Sequence, residues 1–194
     1  MNSELVICAP LRLEYSAVRR GAPAGAARLV RIGMGPAKAR RDFPELAGDG
    51  PVAVLGVAGG LAPELRVPDL VIASRIVTTE GFSIDCPLGE ELADRFVAAG
   101  LTPHVGTVVS VPKIVEGEER VELAAKYAGL ACDMETGYLA ERLAPGRPLI
   151  VVRALSDSVT EPLFRPSIVK NGVAALANVR RAADIVCRWA ADAA

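Results

Sequence analysis

The sequence holds one histidine, one tryptophan and four cysteines in 194 residues, and aromatic side chains make up only 4% of it. Each scarcity excludes something. With so few aromatics the core must be built from Ala, Val, Leu and Ile, a composition of closely packed α/β proteins rather than of Tyr- and Trp-rich β-sandwiches. Cys8, Cys86, Cys132 and Cys187 are scattered without a C-x-x-C pair, so neither a zinc site nor a disulfide framework is suggested. Cys8 and Cys132 lie inside apolar runs and read as small buried hydrophobes. His104, which follows Pro103 at the start of an apolar run, reads as structural rather than catalytic. No charge of either sign dominates: 22 Lys+Arg stand against 23 Asp+Glu, which excludes nucleic acid as a partner held mainly through phosphates. No apolar stretch reaches the ~18 to 20 residues of a membrane span, and Met1-Asn2-Ser3-Glu4 has no basic signal-peptide region. The expectation is a cytoplasmic chain with no membrane partner.

Hydrophobic residues, by contrast, make up 51% of the chain, enough to bury one substantial core. No linker, repeat or long low-complexity segment divides it, so residues 1–194 are expected to form a single domain; the short Ala/Gly stretch 21–27 reads as a turn. Short β-branched runs alternate with Ala/Leu/Glu/Arg-rich stretches. Strands are predicted at 4–9, 28–32, 52–57, 70–77, 104–111, 130–133 and 149–154, and helices at 11–20, 36–46, 88–99, 118–127, 136–143 and 166–191. Pro36 and Pro166 suit first-turn positions, where no amide donor is lost. Val169, Val173, Leu176 and Val179 share one face of the last helix and are expected to pack it on the core. The fold class that follows is α/β: three layers, with a central, mostly parallel (mixed) twisted sheet flanked by helices.

In open α/β sheets ligands sit beyond the carboxyl ends of strands, and four such segments carry suitable residues. Ala9-Pro10-Leu11-Arg12-Leu13-Glu14 leaves the first strand and opens a helix. Gly33-Met34-Gly35-Pro36 follows the second, and Gly56-Val57-Ala58-Gly59-Gly60-Leu61 follows the third. Glycines there let the backbone approach a ligand and point N–H groups at oxygen, or simply allow tight turns. Neither glycine pattern has the spacing of a dinucleotide fingerprint, because Lys38 stands where the first needs its third glycine. The fourth segment is in two parts, Asp133-Met134-Glu135 and Arg153-Ala154-Leu155-Ser156-Asp157. Glu135 alone reads equally as a first-turn helix acid, and Ser156 with Asp157 as a cap. Convergence favours a site: Glu14, Glu135 and Asp157 each follow a different strand.

Taken in order, Gly56-Val-Ala-Gly-Gly-Leu-Ala-Pro-Glu-Leu-Arg-Val-Pro-Asp-Leu-Val-Ile, Asp133-Met134-Glu135 and Val151-Val-Arg-Ala-Leu-Ser156-Asp157 resemble the nucleoside phosphorylase/nucleosidase superfamily, most closely its 5′-methylthioadenosine/S-adenosylhomocysteine nucleosidase branch. The resemblance spans residues 6–158. It implies a phosphorylase/hydrolase-like fold and cleavage of the N-glycosidic bond of an adenosine-type nucleoside, with no metal or cofactor. Asp157 matches the acid that protonates the purine at N7, and Glu135 the carboxylate that holds ribose hydroxyls. The resemblance also implies that Met134 lies against the sugar face, with Asp133, Ser156 and Gly59 at the substrate. Glu14 is the candidate water-activating base, at a spacing from the first strand that differs slightly from the family's.

Breaking this bond builds oxocarbenium charge on the sugar and drives electrons into the base, so an acid must meet the base and a carboxylate the water. The phosphate or water loop corresponds to Gly33, Gly35, Val57 and Arg12. Val57 stands where phosphorolytic relatives carry a hydroxyl, whereas Pro10-Leu11-Arg12 is similar to a phosphate-binding Pro-Leu-Arg. Hydrolysis is the expectation and phosphorolysis, with phosphate as co-substrate, the alternative; a non-catalytic nucleoside binder is a third reading. Shortened segments before Gly33 and at 78–87 point to an unusual nucleoside, such as adenosylhopane or futalosine, and the resemblance implies a homodimer or higher homo-oligomer.

Overall fold

A computed structural model describes residues 4–159 and 168–193. In chain order the elements are β1 (Val6–Ala9), α1 (Arg12–Gly21), β2 (Arg28–Arg31), α2 (Pro36–Ala39), a 3-10 turn (Pro44–Leu46), β3 (Val52–Gly60), β4 (Leu70–Thr78) and β5 (Ser83–Asp85). They continue with α3 (Gly89–Ala98), β6 (Pro103–Ser110), α4 (Glu118–Tyr127), β7 (Gly129–Asp133), α5 (Thr136–Ala140), β8 (Leu149–Asp157) and α6 (Ile168–Asp192).

The two-residue alternation of β-strands sorts the apolar residues onto two faces of the sheet. Leu5, Ile7, Ala53 and Leu55 join α1, α3 and α6 in one core cluster, centred on Phe96, Val179 and Trp189. Their neighbours Val6, Cys8, Val52 and Val54 point the other way, to Tyr138 and Leu139 of α5. Helices therefore cover both faces, and the α/β class with a mixed central sheet is what the chain adopts.

Strands β2, β1, β3 and β8 run parallel to one another. β4, β6 and β7 form a second parallel set, antiparallel to the first where β4 meets β8 and β7 meets β3. The pairs β3–β8, β8–β4, β4–β6, β6–β7 and β7–β3 close five strands into a ring, which period and propensity did not foretell. The closing contact is small: Gly59 and Gly60 pair with Cys132 and Ala131. That crossing brings the carboxyl ends of β3 and β7 together although the strands run in opposite directions.

Several boundaries differ from expectation for identifiable reasons. β3 continues through Gly60 and β8 through Asp157, so both motifs expected beyond strand ends lie inside strands. The helix expected over 36–46 stops at Ala39, because Pro44 lacks an amide donor and keeps its predecessor Phe43 extended. β5, too short and polar to read from the sequence, hairpins onto β4. In α6 the expected core face is corrected. Val169 and Val173 are exposed, while Ala175, Val179, Ala182, Ala183 and Val186 are buried. Alanines let this helix lie close to its neighbours, and a Cβ on Gly21 of α1 would collide with the Arg180 carbonyl. Pro166 lies outside the described residues.

Candidate active site

At the converging ends of β1, β3, β7 and β8 lies a cavity of about 240 Å³, bordered also by the segment after β6. Glu14 reaches it from the first turn of α1 and is only 2% exposed. Two backbone amides grip its carboxylate: Leu11 N–H donates to Oε2 at 2.5 Å and Val57 N–H to Oε1 at 2.7 Å. The lack of a Cβ at Gly56 makes this possible, because one there would sit 2.6 Å from Glu14 Oε1 and 2.5 Å from Arg153 Nη1. Burial pushes the Glu14 carboxyl up from its ordinary range, against the lowering influence of Arg153 and the two amides. A buried carboxylate of raised basicity, fixed in one orientation, is suited to take a proton from water.

Arg153 of β8 is fully buried and forms the charge centre behind the site. Its Nη2 donates to Asp133 Oδ2 and Thr136 Oγ1, both at 2.5 Å, while Nε and Nη1 have no hydrogen-bond partner among the described residues. Asp133 is further held by the hydroxyls of Ser110 and Thr136. Burial acts to raise its pKa, but Arg153 and these donors outweigh that and hold it below the usual carboxylate range. Glu135 lies two residues on and accepts from Gly35 N–H at 2.8 Å. Gly35 has φ of +89°, a left-handed conformation that glycine takes without strain and that turns its amide inward. Burial first, and then the neighbouring Asp133, push the Glu135 carboxyl up to about 7.

Asp157 ends β8 at the same cavity. Ser156 Oγ donates to its Oδ1 at 2.8 Å, and the Arg120 guanidinium of α4 forms an ion pair with its Oδ2. Both side chains of that pair are 5% exposed. Arg120 is held in turn by the Val115 carbonyl at 2.9 Å from Nε and more loosely by that of Gly60 at 3.4 Å from Nη1. Gly59 leaves the room: a Cβ would stand 2.9 Å from Arg120 Nη2 and 3.1 Å from Asp157 Oδ2.

The cavity is thus lined by Glu14, Val57, Gly59, Asp133, Met134, Glu135, Ser156 and Asp157, eight residues singled out from the sequence. Gly35 contributes its amide from behind, and Val57, whose side chain cannot hydrogen-bond, contributes its amide to Glu14. Two expected residues are placed elsewhere. Arg12 is exposed and borders a separate surface depression with Tyr15 and Phe43, because α1 turns it away from the face that carries Glu14. Gly33 is a turn residue packed on Lys38 and does not line the cavity.

Sequence reasoning missed Arg120, Lys113, Ile114 and Met34, all of which line the cavity. Arg120 carried no signal, since it stands in a run of charged residues that reads as a solvated helix face. Among the described residues no cluster of His, Cys, Asp and Glu is placed to hold a metal, and no helix is long and apolar enough to cross a membrane.

Comparison with known proteins bears on this arrangement. A family model described as the phosphorylase superfamily matches residues 20–188. No curated protein matches the sequence. Among solved structures, the Neisseria meningitidis 5′-methylthioadenosine/S-adenosylhomocysteine nucleosidase in complex with methylthio-immucillin-A shares the fold at a TM-score of 0.78, with 21% identity over 96% of this chain and 100% of that one. A Helicobacter pylori MTAN mutant with 5′-methylthioadenosine in its active site gives a TM-score of 0.76 and 16% identity over 100% of both chains. The futalosine hydrolase of Helicobacter pylori gives 0.75 and 17% over 98% of each.

Proposed function

The chain belongs to the phosphorylase superfamily, and from that premise we propose that it is a purine nucleosidase, hydrolysing the N-glycosidic bond of a 5′-modified, adenosine-type nucleoside. One observation carries the reading. Two buried acids from different elements, Glu14 and Asp157, border one cavity, and a third, Glu135, lines it while accepting from the Gly35 amide. Glu135 anchors the ribose hydroxyls by charge-assisted hydrogen bonds, and Met134 packs on the sugar. Glu14 takes a proton from the attacking water while its oxygen bonds to C1′. Asp157 passes a proton to the purine as the C1′–N9 electron pair moves onto the base. The solved neighbours, named as 5′-methylthioadenosine/S-adenosylhomocysteine nucleosidases and a futalosine hydrolase, support this assignment. Water rather than phosphate as acceptor is supported by Glu14 itself, since a buried carboxylate repels a phosphate anion, and by the exposed position of Arg12.

The test is release of free base from a nucleoside panel with and without phosphate. Base release without phosphate is expected, and Asp157→Asn is expected to lower it on the order of a hundredfold. Strict dependence on phosphate, or tight binding without turnover, would overturn the reading. A pH dependence follows from Glu135, whose pKa is pushed up to about 7. Below that pH the carboxyl is protonated and loses acceptor capacity for the ribose hydroxyls. KM is therefore expected to rise as pH falls through 7 toward 5 and to be flat above 8. In Glu135→Gln it should be high throughout and lack this rise. Steady-state kinetics across that range decide the matter.

The same proposal extends to residues 1–194 as one domain, to a cytoplasmic location, to catalysis without metal or cofactor, and to a homodimer or higher homo-oligomer. Light scattering on the purified chain tests the last.

A further inference from the structure

Arg120, the partner of Asp157, is a buried polar side chain of the cavity that the nucleosidase reading above leaves without a task. A guanidinium has five N–H bonds. Nε donates to the Val115 carbonyl, Nη1 to the Gly60 carbonyl and Nη2 to Asp157. That leaves two N–H groups without a partner among the described residues, on a side chain that is 5% exposed and borders the cavity beside Asp157. Three anchors fix the group in place, and Gly59 is open where any side chain would displace it. A buried, immobilised cation with unspent donors, beside the residue that faces the leaving base, is the arrangement that stabilises charge developing there.

We propose that Arg120 is a catalytic residue of the base side, donating hydrogen bonds to ring acceptors of the departing purine. The step balances without a further reactant. The C1′–N9 bond breaks and its electron pair enters the purine, where Arg120 meets the growing negative charge by hydrogen bonding, not by giving up a proton. Asp157, a carboxylate paired with Arg120 before substrate enters, takes up a proton from solvent as the base binds against the guanidinium and passes that proton to the base as it leaves. Water adds to C1′ and its proton goes to Glu14, which releases it to solvent and so balances the proton that Asp157 took up. Arg120 and Asp157 act as one unit, the guanidinium also holding the carboxyl in register through its Oδ2.

The proposal rests on the nucleosidase reading, and the experiment separates the two. Wild type, Arg120→Met and Arg120→Lys are assayed on 5′-methylthioadenosine and on 4-nitrophenyl 5-methylthio-β-D-riboside. The second substrate has the same sugar, but its leaving group departs without help. Arg120→Met is expected to lower kcat on 5′-methylthioadenosine on the order of a hundredfold and to change kcat on the nitrophenyl riboside less than threefold. Arg120→Lys, which keeps the charge, is expected to recover part of the loss, and it carries the comparison if the methionine variant does not fold. Equal losses on both substrates would mean that Arg120 only supports the structure, and would overturn the proposal alone. A wild-type protein that cleaves neither of these substrates nor any nucleoside of the panel would overturn the nucleosidase reading and the proposal with it.

Discussion

Glu14→Gln is expected to lower kcat by about a thousandfold, within the range that removal of a general base produces, while leaving KM within a few-fold of wild type. The side chain is buried and gripped by two amides, so an isosteric amide keeps its place and its contact with Val57 N–H or Leu11 N–H, but not both. One of its own N–H groups would then face a backbone N–H, which costs on the order of 1–3 kcal/mol for an unsatisfied buried donor. Part of that is offset, because the substitution also removes a carboxyl whose charged form burial already disfavours. A folded variant with a collapsed rate is the expected outcome. The check is single-turnover base release from a substrate-saturated variant, with circular dichroism to establish folding. Retention of a tenth or more of the wild-type rate would remove Glu14 from the role of base.

Arg153→Met is expected to act on stability and to be the most damaging substitution in the molecule. The guanidinium is fully buried, is bonded to Asp133 and Thr136, and lies among three acids, Asp133, Glu135 and Glu14. Burial alone would lower its pKa, and those three acids hold it above its ordinary value instead. Methionine fills similar volume but leaves Asp133 buried without its cation. Removing one partner of a buried pair costs about 3–5 kcal/mol, a large share of the roughly 5–15 kcal/mol that stabilises a typical domain. The loss should depend on pH in a definite direction. Asp133, Glu135 and Glu14 all lose the cation that favours their charged forms, so ionising them in the folded variant costs more than in wild type. That cost shrinks as falling pH protonates them, so the variant is further destabilised at pH 8 than at pH 5. Urea unfolding at the two pH values measures this, and a loss below 1 kcal/mol at pH 8 would contradict the account.

The two substitutions also divide what was legible in advance. Glu14, Glu135 and Asp157 stood out because each is an acid following an apolar strand, and the structure places all three around one cavity. Gly35 and Gly56 stood out as glycines, but their tasks were not visible. One turns an amide onto Glu135, and the other leaves space between Glu14 and Arg153. Arg12 looked suitable because Pro10-Leu11-Arg12 is similar to a phosphate-binding Pro-Leu-Arg, yet helical geometry points Arg12 and Glu14, two residues apart, in different directions. Arg120 was invisible for the opposite reason. Among Glu118, Glu119, Arg120 and Glu122 it is one charge in a solvated-looking run, and only its reach back to Val115 and across to Asp157 distinguishes it. Val169 and Val173 show the same limit in the core, since amphipathic spacing names a face without saying what, if anything, covers it.

By itself the sequence determined the α/β class, most of its elements and three acids that meet at one cavity. These follow from short-range physics: the two-residue alternation of strands, the helical repeat, and the cost of burying a carboxylate without purpose. Tertiary structure alone decided that β3, β8, β4, β6 and β7 close into a ring. It also decided that the ends of two opposed strands meet at Gly59 and Cys132, and that Arg120 comes to lie against Asp157 across 37 residues of chain. Such contacts join residues far apart in sequence, and no local propensity encodes which distant partner a strand edge or a guanidinium will find.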